Sequence, residues 1–151
     1  MPVQVLAVGK KHESWVAEGI ARYEKRLRAP WALKWQLVKH SALSEERARV
    51  EESDRLLTKL GSDFVILLDE RGKQFSSPAL SQTLQTAVTK SSRVTVIIGG
   101  AWGVDDRVRE RANIVWSLSR LVLPHQLVRL VLTEQLYRCQ EIARGGAYHH
   151  E

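Results

Sequence analysis

Three unbroken apolar runs constrain this chain more than any other feature. Val3-Gln4-Val5-Leu6-Ala7-Val8 stops at Gly9, Phe64-Val65-Ile66-Leu67-Leu68 stops at Asp69, and Val94-Thr95-Val96-Ile97-Ile98 stops at Gly99-Gly100. A strand with one wet face alternates apolar and polar residues; a strand covered on both faces has no reason to. The segments between these runs follow a different period. Val16, Ile20, Tyr23 and Leu27 recur at helical spacing after Ser14, a residue suited to an N-cap, with Pro30 as a stop. Leu33 to Lys39 alternates like a half-exposed strand, and Ser44 opens a charged helix through Leu60, closed by Gly61. Its apolar residues are sparse before Leu56, which predicts a position on the outside. Glu70 to Phe75 is expected to turn, and Pro78 starts a helix that runs to about Lys90. A short polar helix is expected from Asp105. Pro124 ends the run Leu121-Val122-Leu123, and a long helix from His125 carries Val128, Val131, Leu132, Leu136, Cys139 and Ala143 on one face until Gly145-Gly146. Strands alternating with helices predict one α/β domain, a parallel sheet with helices on both faces.

At 151 residues the chain has the length of one compact domain. A single cysteine, Cys139, excludes an intrachain disulfide framework and a zinc site built on several thiolates. The start turns polar after Gly9 and lacks the apolar core of a secretory signal. No stretch of about 18 apolar residues could cross a bilayer, so a cytoplasmic location away from membranes is expected. The net charge of +6 favours polyanionic partners. Much of the excess is early: Lys10 and Lys11 beside His12, then Arg22, Lys25, Arg26 and Arg28.

In an open parallel sheet ligands bind beyond the carboxyl ends of the strands. Leu68-Asp69, Ile98-Gly99-Gly100 and Leu121-Val122-Leu123-Pro124 fall there. Paired glycines let a backbone approach a ligand closely, although the pair alone reads more readily as a tight turn. No G-x-G-x-x-G follows the first strand and no P-loop is present, which disfavours ordinary NAD or ATP binding. Taken singly, the remaining polar residues are bland. His125 reads as a surface or capping residue, and Arg129, Glu134 and Arg138 as an exposed ion-paired helix face. Cys139 reads as core, and Tyr148-His149-His150-Glu151 as a tail that frays unless a partner orders it. Among the tryptophans, Trp102 stands out because it lies in the glycine loop rather than on a periodic face.

In combination the segments are specific. Val5-Leu6-Ala7-Val8-Gly9-Lys10, Leu68-Asp69-Glu70-Arg71-Gly72-Lys73, Ile98-Gly99-Gly100, Trp116-Ser117-Leu118-Ser119, Leu123-Pro124-His125, Leu127-Val128-Arg129, Glu134-Gln135-Leu136-Tyr137-Arg138 and Tyr148-His149 occur in order from end to end. The chain thereby resembles the ribosomal RNA large subunit methyltransferase H family, of the SPOUT class. The resemblance implies an α/β-knot fold with a C-terminal trefoil knot, a homodimer and S-adenosylmethionine as cofactor, with no metal. The implied reaction is methylation at N3 of a pseudouridine in helix 69 of 23S rRNA, in the 70S ribosome or large subunit. Carried over by position, the cofactor pocket comprises Leu68, Gly100 and Ser119, Arg120, Leu121, Val122, Leu123 and Pro124. His149, Tyr148 and Glu134 become candidate proton acceptors or base-orienting groups, with Arg129 and Arg138 binding phosphate or a uracil carbonyl. Lys10, Lys11, Arg22 and Arg26 would contact RNA phosphates. This sequence departs from the family pattern at Ala101-Trp102, where Pro-Glu is common, at Ala147 in place of proline, and at His150 in place of Arg or Lys. Rival readings are another knotted methyltransferase acting on tRNA or a different rRNA base, and a non-catalytic ribosome-binding protein.

Overall fold

The computed structural model describes residues 3–91 and 93–150. Five parallel strands, β1 (Val3–Val8), β2 (Leu33–Val38), β3 (Phe64–Lys73), β4 (Val94–Ile98) and β5 (Ile114–Trp116), lie in the order β2-β1-β4-β3-β5. The helices are α1 (Ser14–Glu24), α2 (Glu45–Leu57), α3 (Ser77–Lys90), α4 (Asp106–Arg111) and α5 (His125–Ala143).

The lack of alternation in β1, β3 and β4 has its expected cause. Val3, Val5 and Ala7 join Ile66, Val94, Val96 and Ile98 in a core with Leu80 and Leu84 of α3 and Leu132 and Leu136 of α5. Leu6, Val8, Val65, Leu67 and Ile97 point the other way, onto Leu56 of α2 and Val108 of α4. Both faces are dry, so apolar residues fill the three runs except at Gln4 and Thr95, which are buried and hydrogen-bonded to each other.

Several boundaries differ from the sequence expectation, each for a visible reason. Helix α1 has Glu13 rather than Ser14 at its N-cap and ends at Glu24, ahead of Pro30. Helix α2 stops at Leu57 instead of Leu60, and it is not peripheral. Its inner face buries Ala48, Glu52, Ser53 and Leu56, so half of what it presents to the protein is polar and invisible to a hydrophobic pattern. Strand β3 does not stop at Asp69 but runs to Lys73. There it continues pairing with β5, through Lys73 opposite Trp116 and a bond from the Ser117 N–H to the Lys73 carbonyl (2.9 Å). β5 itself is only three residues long, too short to produce a sequence signal. Pro78 is the second residue of α3; Ser76 is the cap, its hydroxyl accepting from the Ala79 N–H at 3.2 Å.

One topological fact positions the site. Strand β5 follows β4 in sequence but lies beyond β3, at the sheet's edge. The chain therefore passes the carboxyl ends of the central strands twice, once as Gly99–Asp105 and again as Ser117–Pro124.

Candidate cofactor cleft and tail cluster

Those two passages, with the ends of β1 and β3, enclose a cleft of about 1360 Å³. Leu68, Gly100, Ser119, Leu121, Val122 and Leu123 all line it. Arg120 and Pro124 are exposed and lie outside its lining. Leu121 and Val122 are 72% and 81% exposed, an unusual state for adjacent aliphatic side chains at a cleft mouth, and one that an apolar ring would relieve. The Ser119 hydroxyl already accepts the Leu121 N–H at 3.0 Å, and the Ser117 hydroxyl donates to the Ser119 carbonyl at 2.9 Å. These bonds hold the segment in a tight turn. They also remove Leu121 N–H from the groups free to meet an adenine edge, which leaves that role to the main chain of Val122 and Leu123.

The glycine loop is pinned by α2. Arg49 Nε donates to the Trp102 carbonyl (2.9 Å), and Asp105 N–H donates to the Ser53 hydroxyl (3.0 Å). Glu52 is buried with one carboxylate oxygen on Ser41 N–H (2.9 Å), and its other oxygen would stand 2.7 Å from any Cβ at Gly100. The need for glycine at 100 therefore comes from packing against Glu52 as well as from any ligand. Trp102 is 43% exposed on the cleft rim. Asp69, beyond Leu68, also lines the cleft. Burial pushes its carboxyl up, but hydrogen bonds from Arg71 and the charge of Arg109 outweigh this and hold it below the ordinary carboxylate value.

At the opposite end, His125 is no surface histidine: it is half-buried and lines the cleft. Its Nε2 accepts from Arg129 Nε at 3.1 Å. Arg129, expected to reach phosphate or a uracil carbonyl, is 0% exposed. Its guanidinium also meets the Lys10 carbonyl (2.8 Å) and His12 Nδ1 (3.1 Å). Arginine can only donate, so each imidazole must present an unprotonated nitrogen to it. Desolvation first, and then the Arg129 charge, depress the pKa of both His12 and His125 below the ordinary value of 6.5. A histidine that is harder to protonate folded than unfolded contributes stability above the unfolded value and loses it as pH falls through 6.5 toward the folded value. The melting temperature is expected to drop as pH falls from about 7 through 6.5 and below. That window lies above the one set by Asp63, Asp69 and Glu141, whose depressed values act below their ordinary 3.8 to 4.5. Thermal unfolding across this range checks it, and a flat profile would contradict it.

The tail is ordered on its own helix. Tyr148 hydroxyl donates to Glu134 Oε2 (2.9 Å), and its ring meets Tyr137 edge to face with centroids 4.8 Å apart. Arg138 lies over the same ring (4.8 Å), pairs with Glu134 (2.7 Å) and reaches His149 Nδ1 (3.1 Å). So Glu134, Arg138, Tyr148 and His149, bland one by one in the sequence, converge into one half-buried cluster. Burial and the neighbouring Glu134 raise the Tyr148 phenol, so it stays protonated at neutral pH and is a donor rather than a base. Glu151, the last tail residue, lies outside the described residues. None of the cluster lines the cleft. Along α5, Glu134 stands six residues past the cleft-lining Val128, about 9 Å down the axis. Lys10, Lys11, Arg22 and Arg26 are all exposed. Among the described residues no group of His, Cys, Asp and Glu could hold a metal, and no helix is long and apolar enough to cross a membrane.

The sheet and its cleft give the fold, and the class of protein is shown by likeness to a family of methyltransferases. The model of that family, "Predicted SPOUT methyltransferase", matches residues 1–149, and the chain belongs to it. Within this class the chain is 43% identical to Ribosomal RNA large subunit methyltransferase H of Desulfitobacterium hafniense (strain DSM 10664 / DCB-2), with 99% of each chain covered. It is 41% identical to the protein of the same name from Streptococcus suis (strain 05ZYH33), again over 99% of each. Among solved structures, tRNA (m1G37) methyltransferase from Aquifex aeolicus superposes with a TM-score of 0.52 at 18% identity, covering 91% of this chain and 70% of that one. At that identity the likeness shows the fold alone.

Proposed function

We propose that this chain uses S-adenosylmethionine to methylate N3 of a pseudouridine in helix 69 of 23S rRNA, acting as a homodimer on the assembled ribosome in the cytoplasm. The name the relatives carry supports an rRNA substrate. Residues 1–151 act as one SPOUT domain, and Ser119–Pro124 threads past Leu68 and Gly100 as the trefoil of the class; their shared cleft supports that threading.

The observation that carries the mechanism is the separation of cleft and tail cluster. When bound, the cofactor supplies an electrophilic methyl group. Leu121 and Val122 side chains would hold its adenine, with the Val122 and Leu123 main chain available to hydrogen-bond it. Transfer requires the attacking nitrogen in line at near-contact distance, yet within one chain Glu134, Arg138, Tyr148 and His149 do not reach the cleft. A second subunit bringing its tail cluster over the cleft completes the site. In that composite, Glu134 fixes Tyr148, Arg138 turns from His149 to a uracil carbonyl or phosphate, and the His149 Nδ1 this frees takes the N3 proton. Mass spectrometry of 23S rRNA from cells with and without the protein tests the product. Methyl transfer to intact ribosomes and to bulk tRNA, compared in vitro, separates this reading from a tRNA enzyme. Failure to bind S-adenosylmethionine in calorimetry would indicate a non-catalytic ribosome-binding protein.

Exposed Lys10, Lys11, Arg22 and Arg26 add salt-dependent affinity without base recognition. Charge reversal at Arg22 and Arg26 is expected to weaken ribosome binding and flatten its dependence on salt by about two phosphate contacts. Binding unaltered across a salt titration would exclude this surface.

A further inference from the structure

Arg129 is a wholly buried cation that the methylation reading leaves without a task. Its hydrogen-bond partners are two imidazoles and one carbonyl, all uncharged, and no carboxylate is among them. A charge taken out of water without a counter-ion is costly, so a fold that keeps one has an unmatched positive field in its interior. That field reaches the cleft at Gly9. Nη2 faces Gly9, where a Cβ would lie 3.4 Å from it, and Gly9, Gly99 and His125 line the end of the cleft. The guanidinium also donates to the Lys10 carbonyl, and at 0% exposure it is out of reach of a nucleic-acid phosphate. The segment Ser119–Pro124 leads directly into His125, so the loop that would hold the adenine and the Gly9–Gly99–His125 group belong to one cleft.

We infer that Arg129 makes the Gly9–Gly99–His125 end of the cleft an anion subsite, occupied by the carboxylate of the methyl donor's amino-acid portion. This deepens the cofactor reading above and rests on it. Arg129 is a positioning residue here. It acts through its charge across Gly9 and through its hold on His125 and the Lys10 carbonyl, with no contact to the reacting atoms.

The test is calorimetry with two ligands, S-adenosylhomocysteine and its decarboxylated analogue, on the full chain. The wild type is expected to prefer the carboxylated ligand by about tenfold or more, a 1.4 kcal/mol difference. R129K, which keeps the charge, retains the preference. R129Q reduces it to about twofold or less, by weakening S-adenosylhomocysteine while leaving the analogue nearly unchanged. R129M, neutral and of similar volume, replaces R129Q should the latter not fold. Equal weakening of both ligands in the neutral variant would mark a purely structural arginine and overturn the inference. A preserved preference in that variant, a preference lost in R129K, or none in the wild type would overturn it too. A wild type that binds neither ligand would instead remove the cofactor reading itself.

Discussion

Removal of Tyr148–Glu151 is expected to abolish methyl transfer while leaving the sheet folded and the cofactor bound. Within one chain the tail contributes a hydrogen bond from Tyr148 to Glu134, an edge-to-face contact with Tyr137 and a cation stacked on its ring. Each is worth about 1 kcal/mol, so their loss takes a few kcal/mol from a total of about 5–15. Tyr148 packs on the margin of the core of Val5, Ile66, Val96, Leu132 and Leu136 as a partly buried side chain, so its removal trims that core without emptying it. The cleft does not depend on the tail, since neither Tyr148 nor His149 lines it. Chemistry is another matter: losing the group that accepts a proton costs about 10²–10⁴ in rate, and losing alignment multiplies that. Single-turnover rates on ribosomes, beside calorimetry with S-adenosylmethionine, separate the two effects. Full activity in the truncated protein would eliminate the composite site; loss of cofactor binding would make the tail a clamp on the fold.

Gly72→Ala is expected to unseat β5 and, with it, the cofactor segment. A Cβ at this position would lie 2.6 Å from the carbonyl carbon and oxygen of Val115 and 2.8 Å from the Trp116 nitrogen. These are backbone atoms, which cannot rotate aside as a side chain would. Either β3 bends or β5 shifts, and overpacking of this kind costs about 1–3 kcal/mol or more. For a chain of this length each kcal/mol lowers the melting temperature by about 2–4 °C. The damage also reaches the cleft. Ser117, bonded through its N–H to the Lys73 carbonyl, leads into the Ser119 turn that presents Val122 and Leu123. S-adenosylmethionine affinity should therefore fall about tenfold or more, beyond the loss of stability. An unchanged melting temperature with unchanged affinity would show that β5 accommodates the methyl group freely.

The legible parts of this molecule were those in which one residue's chemistry reports its own surroundings. Val5, Leu67 and Ile97 announce strands covered on both sides because a period of two disappears only when both faces are dry. The pairing of Lys73 with Trp116 was not legible, because β5 is three residues long and β3 continues through Asp69-Glu70-Arg71-Gly72, which looks like a turn by composition. Helix α2 was placed outside because its buried face carries Glu52 and Ser53. Polar residues are cheap inside only where a specific partner awaits them, and Ser41 N–H and Asp105 N–H are such partners, distant in the chain. The same holds for His125 and Arg129. Their spacing of four on a helix reads as a surface pair until the Gly9–His12 loop is laid over them.

The order of residues alone determined a parallel, doubly covered sheet, the three segments at its carboxyl edge, and the family resemblance that pointed to a methyl donor. Burial and convergence were decided only in three dimensions. Which arginine is hidden, which tail residues gather on Glu134, and which of the expected cofactor residues face the cleft depend on groups brought together from far along the chain. Hydrophobic periodicity is a local property, readable within one turn or one strand. The field around a charge is set by everything within a few ångströms, and chain distance says nothing about that.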